Sequence, residues 1–104
     1  MKNYEIQDHQ LYDVTSFEIV ADYVLRVEFE DGTEQTINFE PILLGPIFGP
    51  LRDLDTFNQV RLDTELGTLV WPTGADIDPT VLHDWSQHGE AIVTRRKKQF
   101  AVTV

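Results

Sequence analysis

The chain has no cysteine, one methionine and two serines among its 104 residues. Without cysteine there is no disulfide and no thiolate metal site, and at this length one modest core is possible without such staples. Neither Ser16 nor Ser86 sits in a nucleophile motif. Gly45 and Gly49 lie among prolines, which have no N–H to offer, so they do not make a phosphate-cradling loop. No apolar run approaches the ~18 residues a membrane-spanning helix requires. The start, Met1-Lys2-Asn3-Tyr4-Glu5, has no signal-peptide core. The expectation is a cytoplasmic protein with no membrane contact and no cofactor. Basic residues are also scarce, with 8 Lys and Arg against 18 Asp and Glu, a net charge of −10. Residues 1–90 hold every acid and carry −14, while residues 91–104 carry +4, all of it in Arg95-Arg96-Lys97-Lys98. An acidic body repels nucleic acid, so only this tail is suited to attract it.

What is present is enough for one domain. Its expected extent is residues 1–90, with 91–104 a C-terminal basic tail or an added strand. Residues 1–12 read as an irregular arm or a short edge strand near Leu11-Tyr12, with His9 solvated beside Asp8. Residues 13–40 alternate with the period of strands. Leu25, Val27 and Phe29 fall on one side and Arg26, Glu28 and Glu30 on the other. Asp31-Gly32 is a hairpin turn, because glycine tolerates the positive φ a tight turn demands. Asp22-Tyr23 marks the turn before it. Within 14–21, Phe17, Ile19 and Ala21 are expected to face opposite to Val14, Ser16, Glu18 and Val20.

Pro41 and Gly45 bracket one or two helical turns. Gly45-Pro46-Ile47-Phe48-Gly49-Pro50 then places two large apolar residues among four chain breakers. Ile47 and Phe48 are expected to plug the core, with an exposed patch for a partner as the alternative. Residues 58–72 form a second hairpin, turning at Thr64-Glu65-Leu66-Gly67. Asp78 and Pro79 suit the start of a helix that carries Val81, Leu82 and Trp85 on one face and ends at Ser86–Gly89. The fold class is therefore α+β: an antiparallel sheet of about five strands from two hairpin units, with short helices near 41–54 and 79–87.

Val27–Thr33, Asn38–Leu43, Phe48–Leu51, Phe57–Val60 and Gly67–Ile77 run in the order of domain-of-unknown-function family 2442, which the chain resembles. That family has an F-x-D-G hairpin and a W-P-N-G-x-D block, and Thr73 stands here where the family usually has Asn. The resemblance implies a small bacterial α+β protein with no established activity. Some relatives carry a helix-turn-helix domain, and many lie beside a gene for another small protein in a toxin–antitoxin-like pair. After Trp85 only 19 residues remain, too few for a helix-turn-helix.

Asp76, Asp78, His83, Asp84 and His88 cluster in sequence, but their spacing disfavours one metal site. His83 and His88 diverge by about 140° on a helix. Asp78 reads as a helix cap and Asp76 as a turn stabiliser; a paired acid and base is the sharper alternative. Trp71 reads as a core anchor, with stacking on a ligand as its alternative. The candidate interaction or ligand residues are Trp71, Asp76 and Phe48, and the candidate partner-binding tail is Arg95, Arg96, Lys97 and Lys98. The lack of a catalytic constellation and the segregated charge point to a non-catalytic protein-interaction module. The resemblance adds an antitoxin-like role, with the product of an adjacent gene, or a second copy, as partner. The alternative is a small enzyme or ligand-binding protein with a pocket near Trp71 and Asp76.

Overall fold

Strict alternation makes one face of a strand apolar, and Leu25, Val27 and Phe29 are all buried. They lie on β2 (Val24–Phe29), the central strand of an antiparallel sheet ordered β1 (Val14–Ala21), β2, β3 (Glu34–Asn38). These positions come from a computed structural model that describes residues 12–100. Gly32 takes φ 89° in the β2–β3 turn, and Asp31 Oδ1 accepts from the Thr33 N–H at 2.9 Å. Between β1 and β2, Tyr23 holds φ 63°, which costs a non-glycine residue about 1–2 kcal/mol. Its hydroxyl donates to Arg52 O, and its ring meets Phe57 edge-on at 5.4 Å, so tertiary contacts hold the strained turn.

β1 departs from simple alternation. It pairs Val14 with Phe29, Phe17 with Val27 and Ile19 with Leu25, with register shifts between Val14 and Ser16 and between Ile19 and Ala21. One extra residue at the first shift moves Val14 onto the side of Phe17 and Ile19, where the buried faces of β2 lie. The expected grouping of Val14 with Ser16 and Glu18 is thus corrected by a bulge.

β4 (Arg61–Asp63) and β5 (Thr68–Val70) pair antiparallel as a second, separate sheet. The α+β class and the five strands agree with the sequence pattern, but the strands divide between two sheets. Between the sheets the chain makes four short turns of helix: a 3-10 turn at Glu40–Ile42, α1 (Gly45–Phe48), a 3-10 turn at Gly49–Arg52, and α2 (Leu54–Phe57). Pro41, Pro46 and Pro50 each start one, where a missing N–H has no consequence. Their inward side chains Ile42, Leu51 and Phe57 are buried. Phe39, Phe57 and Trp71 form an aromatic trio with centroids 5.6–5.8 Å apart. Trp71 Nε1 donates to Phe57 O at 3.0 Å, so the buried indole leaves no polar atom unmet.

Asp78 Oδ1 accepts from the Thr80 N–H at 2.8 Å and caps α3 (Pro79–His83). The chain breaks at Asp84 and resumes as α4 (Trp85–Phe100). This corrects the expected stop at Gly89 and, of the alternatives for the tail, sets aside the added strand over residues 91–100, which are helical. Residues 101–104, and the arm before residue 12 with His9, lie outside the described residues. Gly89 suggests a stop by composition, but in the fold it is a packing residue. A Cβ there would come within 2.6 Å of two atoms of the Trp85 indole, which lies across it. Over residues 85–99 of α4, Trp85, Gly89, Ile92, Val93 and Arg96 are the half-buried or buried positions, spaced as one helical stripe.

Gly89→Ala is expected to destabilise the protein by about 1–3 kcal/mol, despite the better helix propensity of alanine. Gly49→Ala, where a Cβ meets nothing within 4 Å apart from its chain neighbours but the residue sits in αR before Pro50, is expected to cost less than Gly89→Ala, within about 1 kcal/mol. Urea unfolding of both variants checks the contrast.

Candidate functional site

After Trp71 the chain folds back on itself. The Gly74 N–H donates to Trp71 O at 2.9 Å, the Trp71 N–H to Ala75 O at 3.0 Å, and Asp76 forms a bridge to Val70. Gly74 supplies φ 91° at the tip, and the Ala75 N–H reaches Thr73 Oγ1 at 3.4 Å. Thr68 Oγ1 donates to Ile77 O at 2.6 Å and holds the outgoing segment against β5. The turn is therefore fixed on both sides of Asp76. The Asp76 carboxylate is exposed, and among the described residues it takes part in no hydrogen bond or ion pair.

Three surface hollows share Asp76 as a wall. One, of about 320 Å³, includes Leu66, Ile77 and Pro79. Another, of about 440 Å³, includes Pro46, Ile47, Phe48 and Arg96. The third, of about 170 Å³, includes Phe48, Val81 and Trp85 and lies over the core. The tertiary structure thus brings together Phe48, Asp76 and Arg96, three candidates far apart in sequence. It also adds Ile47 and Leu66, which are 57% and 54% exposed. Ile47 does not plug the core as expected. Phe48 does so in part, packed against the buried cluster. Leu66 had one faint signal in the sequence, an apolar side chain inside a turn.

Trp71 is not part of this surface. It is 3% exposed, and its ring is enclosed by Phe39 and Phe57, so it stacks on the core and offers no face to a ligand. The basic run also divides. Arg96 turns inward: Nε donates to Ile42 O at 2.9 Å, Nη2 to Leu44 O at 2.6 Å, and Cζ lies 4.9 Å from the Phe48 ring centroid. Burial, and then the neighbouring Arg95 charge, lower its pKa from the usual arginine value. Arg95, Lys97 and Lys98 are exposed. Arg95 and Lys98 border a different hollow, with Gln87, Glu90, Ala91 and Thr94.

A second polar centre is invisible in the sequence because its members are 52 residues apart. His83 Nε2 lies 2.7 Å from Asp31 Oδ2, and Nδ1 lies 2.8 Å from Asp84 Oδ1. The ring packs against Tyr12 at 4.3 Å and Phe29 at 5.0 Å, and its side chain is 13% exposed. A neutral imidazole donates through one nitrogen only, so both contacts are satisfied together in the imidazolium. Burial opposes that charge, but the hydrogen bonds and charges of Asp84 and Asp31 outweigh it and raise the His83 pKa. Asp31 is lowered to about 2, chiefly by the Thr33 N–H, against a burial effect, with His83 adding to the lowering. Gln35 Nε2 donates to His83 O at 2.6 Å, so β3 and its hairpin turn both grip α3. The two carboxylates sit on opposite ring nitrogens and do not converge on a point where a cation would bind. Among the described residues, no group of three or more His, Asp or Glu side chains is placed to hold a metal ion.

The model of the family described as "Protein of unknown function (DUF2442)" matches residues 14–88. The chain belongs to the DUF2442 family. No curated protein and no solved structure matches it. In this DUF2442 protein the matched span runs from the first residue of β1 to the residue before Gly89, and includes Ile47, Leu66, Asp76 and the Asp31–His83 clamp. The inward Arg96 and the exposed Arg95, Lys97 and Lys98 lie beyond it. Among the described residues no helix is long and apolar enough to cross a membrane.

Two outcomes are expected of the DUF2442 protein. Arg96→Ala should cost on the order of 2 kcal/mol by releasing two charged hydrogen bonds to Ile42 O and Leu44 O, while Arg95→Ala stays within about 0.5 kcal/mol. Thermal unfolding of the pair reads this. The His83 clamp should make stability depend on pH. Because the folded pKa is raised above the usual 6.5, its contribution is complete below 6.5 and is lost as pH rises through the raised value. The Asp31 contribution is present above 3.8 and is lost as pH falls toward about 2. Urea midpoints measured from pH 6 upward should fall for the native chain and stay flatter for His83→Gln.

Proposed function

We propose that this DUF2442 protein is a protein-interaction module, with the strip from Leu66 across Asp76 to Ile47 as its docking surface. One observation carries the reading. Two large apolar side chains, each more than half exposed, border hollows that meet at the Asp76 carboxylate, which among the described residues has no hydrogen-bond or ion-pair partner. Leaving Ile47 and Leu66 in water has no structural gain, whereas covering them with a partner buries apolar area at about 25 cal/mol per Å². At about 170–440 Å³, the hollows lie below or near the low end of small-molecule sites. That size suits individual side chains of a partner. A ligand pocket walled by Trp71 finds no support, because the indole is enclosed.

The two-gene arrangement implied by the family resemblance supplies the partner, the product of the adjacent gene, with this chain as the antitoxin-like half of the pair. The acidic body speeds encounter with a basic partner. Direct nucleic-acid contact through the tail would rest on Arg95, Lys97 and Lys98 alone, since Arg96 is committed to the fold.

Co-expression of the tagged chain with the adjacent gene product is expected to yield a stable complex by size-exclusion chromatography. Ile47→Asp and Leu66→Asp, at exposed positions, are expected to weaken it about tenfold or more with unchanged unfolding midpoints. Purification of the chain alone under these conditions overturns the reading.

A further inference from the structure

We infer that the partner presents to this strip a basic side chain flanked by apolar ones, an inference that rests on the interaction reading above. The strip has an order. On one side lie Leu66, Ile77 and Pro79, in the middle Asp76, and on the other side Pro46, Ile47 and Phe48. The charges in it are not equivalent. The Arg96 guanidinium faces the same hollow, but its Nε and Nη2 donate to Ile42 O and Leu44 O and its Cζ lies over the Phe48 ring. Asp78, on the Leu66 side, accepts from the Thr80 N–H as the cap of α3, and among the described residues Asp76 has no such commitment, so the charge open to a partner is negative.

The Asp76 carboxylate is also held ready. The Val70 bridge, the Trp71–Ala75 hydrogen bond and the Thr68–Ile77 hydrogen bond fix the backbone around it, so little ordering is lost when a partner docks. A carboxylate between apolar ledges is matched by a cation whose own neighbours are apolar. The ledges exclude water and strengthen the ion pair, while a purely basic segment would leave Ile47 and Leu66 uncovered. Arginine fits better than lysine, because its planar fork addresses a carboxylate through two parallel bonds and is more weakly hydrated. An acidic or phosphate-bearing partner meets repulsion from Asp76 and from the body.

The test uses the full isotope-labelled chain and three synthetic peptides. The parent is acetyl-Gly-Leu-Ala-Arg-Ala-Leu-Gly-amide; one control carries Glu for Arg, the other Gly for both Leu. The parent is expected to shift the backbone amides of Ile47, Leu66, Ala75 and Asp76, with each control about tenfold weaker or worse. Asp76→Asn, whose spectrum reports an intact fold, should weaken the parent about tenfold, while Glu90→Gln on the outer face of α4 leaves it within about twofold. No parent binding up to about 5 mM, equal binding of the Glu peptide, or indifference to Asp76→Asn overturns the inference. The two readings fail separately. If the adjacent gene product binds and is released by Ile47→Asp but not by Asp76→Asn, the module stands and this chemistry falls. If the peptide binds at the strip but no gene product does, the surface chemistry stands and the two-gene reading falls.

Discussion

The hydrogen bond from Trp71 Nε1 to Phe57 O is the contact on which the rest of the structure depends. It joins the end of β5 to the end of α2 inside the aromatic trio, so it ties the second hairpin to the run of short helical turns. Phe39, leaving β3, completes the trio and brings in the three-stranded sheet. None of these elements is stable alone. Helices of four residues do not persist in water and a lone hairpin is marginal at best. Their shared aromatic centre is what lets them persist together.

Because Trp71 is held there, the chain must turn immediately after it. Asp76 is then presented at the surface as a direct consequence of burying the indole five residues earlier. The surface strip is the outer side of the same junction whose inner side is the core. This explains why a segment with so distinctive a sequence divides its roles. Trp71 and Ala75 are buried, Gly74 turns, Asp78 caps, and the Asp76 carboxylate has no hydrogen-bond or ion-pair partner among the described residues. Helix α4 closes the other edge of the strip. Its hold on the body runs through Trp85 lying over Gly89, through Ile92 and Val93, and through the Arg96 hydrogen bonds to the Ile42 and Leu44 carbonyls.

Legibility tracked the range of the forces involved. The β2–β3 hairpin was readable because alternation and Asp31-Gly32 act within a few residues, as did the Asp78-Pro79 start of α3. The bulge in β1 was not, since register depends on the partner strand. The continuation of α4 was misread because Gly89 signals a stop by its own propensity, whereas its reason for being there is the indole that covers it. The basic run reads as a partner-binding tail, but Arg96 finds its carbonyls more than fifty residues away in sequence.

The α+β class, the five strands, the turns, the helix cap, the acidic body, the core role of Trp71 and its place with Asp76 in one block all follow from the order of the residues. These are local properties of side-chain period, turn chemistry and charge. Packing of the whole chain adds that the strands form two sheets, that Asp76 is left facing outward beside the buried Trp71, that Ile47 and Leu66 flank the carboxylate, and that His83 lies between Asp31 and Asp84. Each of these depends on segments distant in the chain meeting in space, and a pairing of that kind is set by the packing of the whole core rather than by the residues on either side.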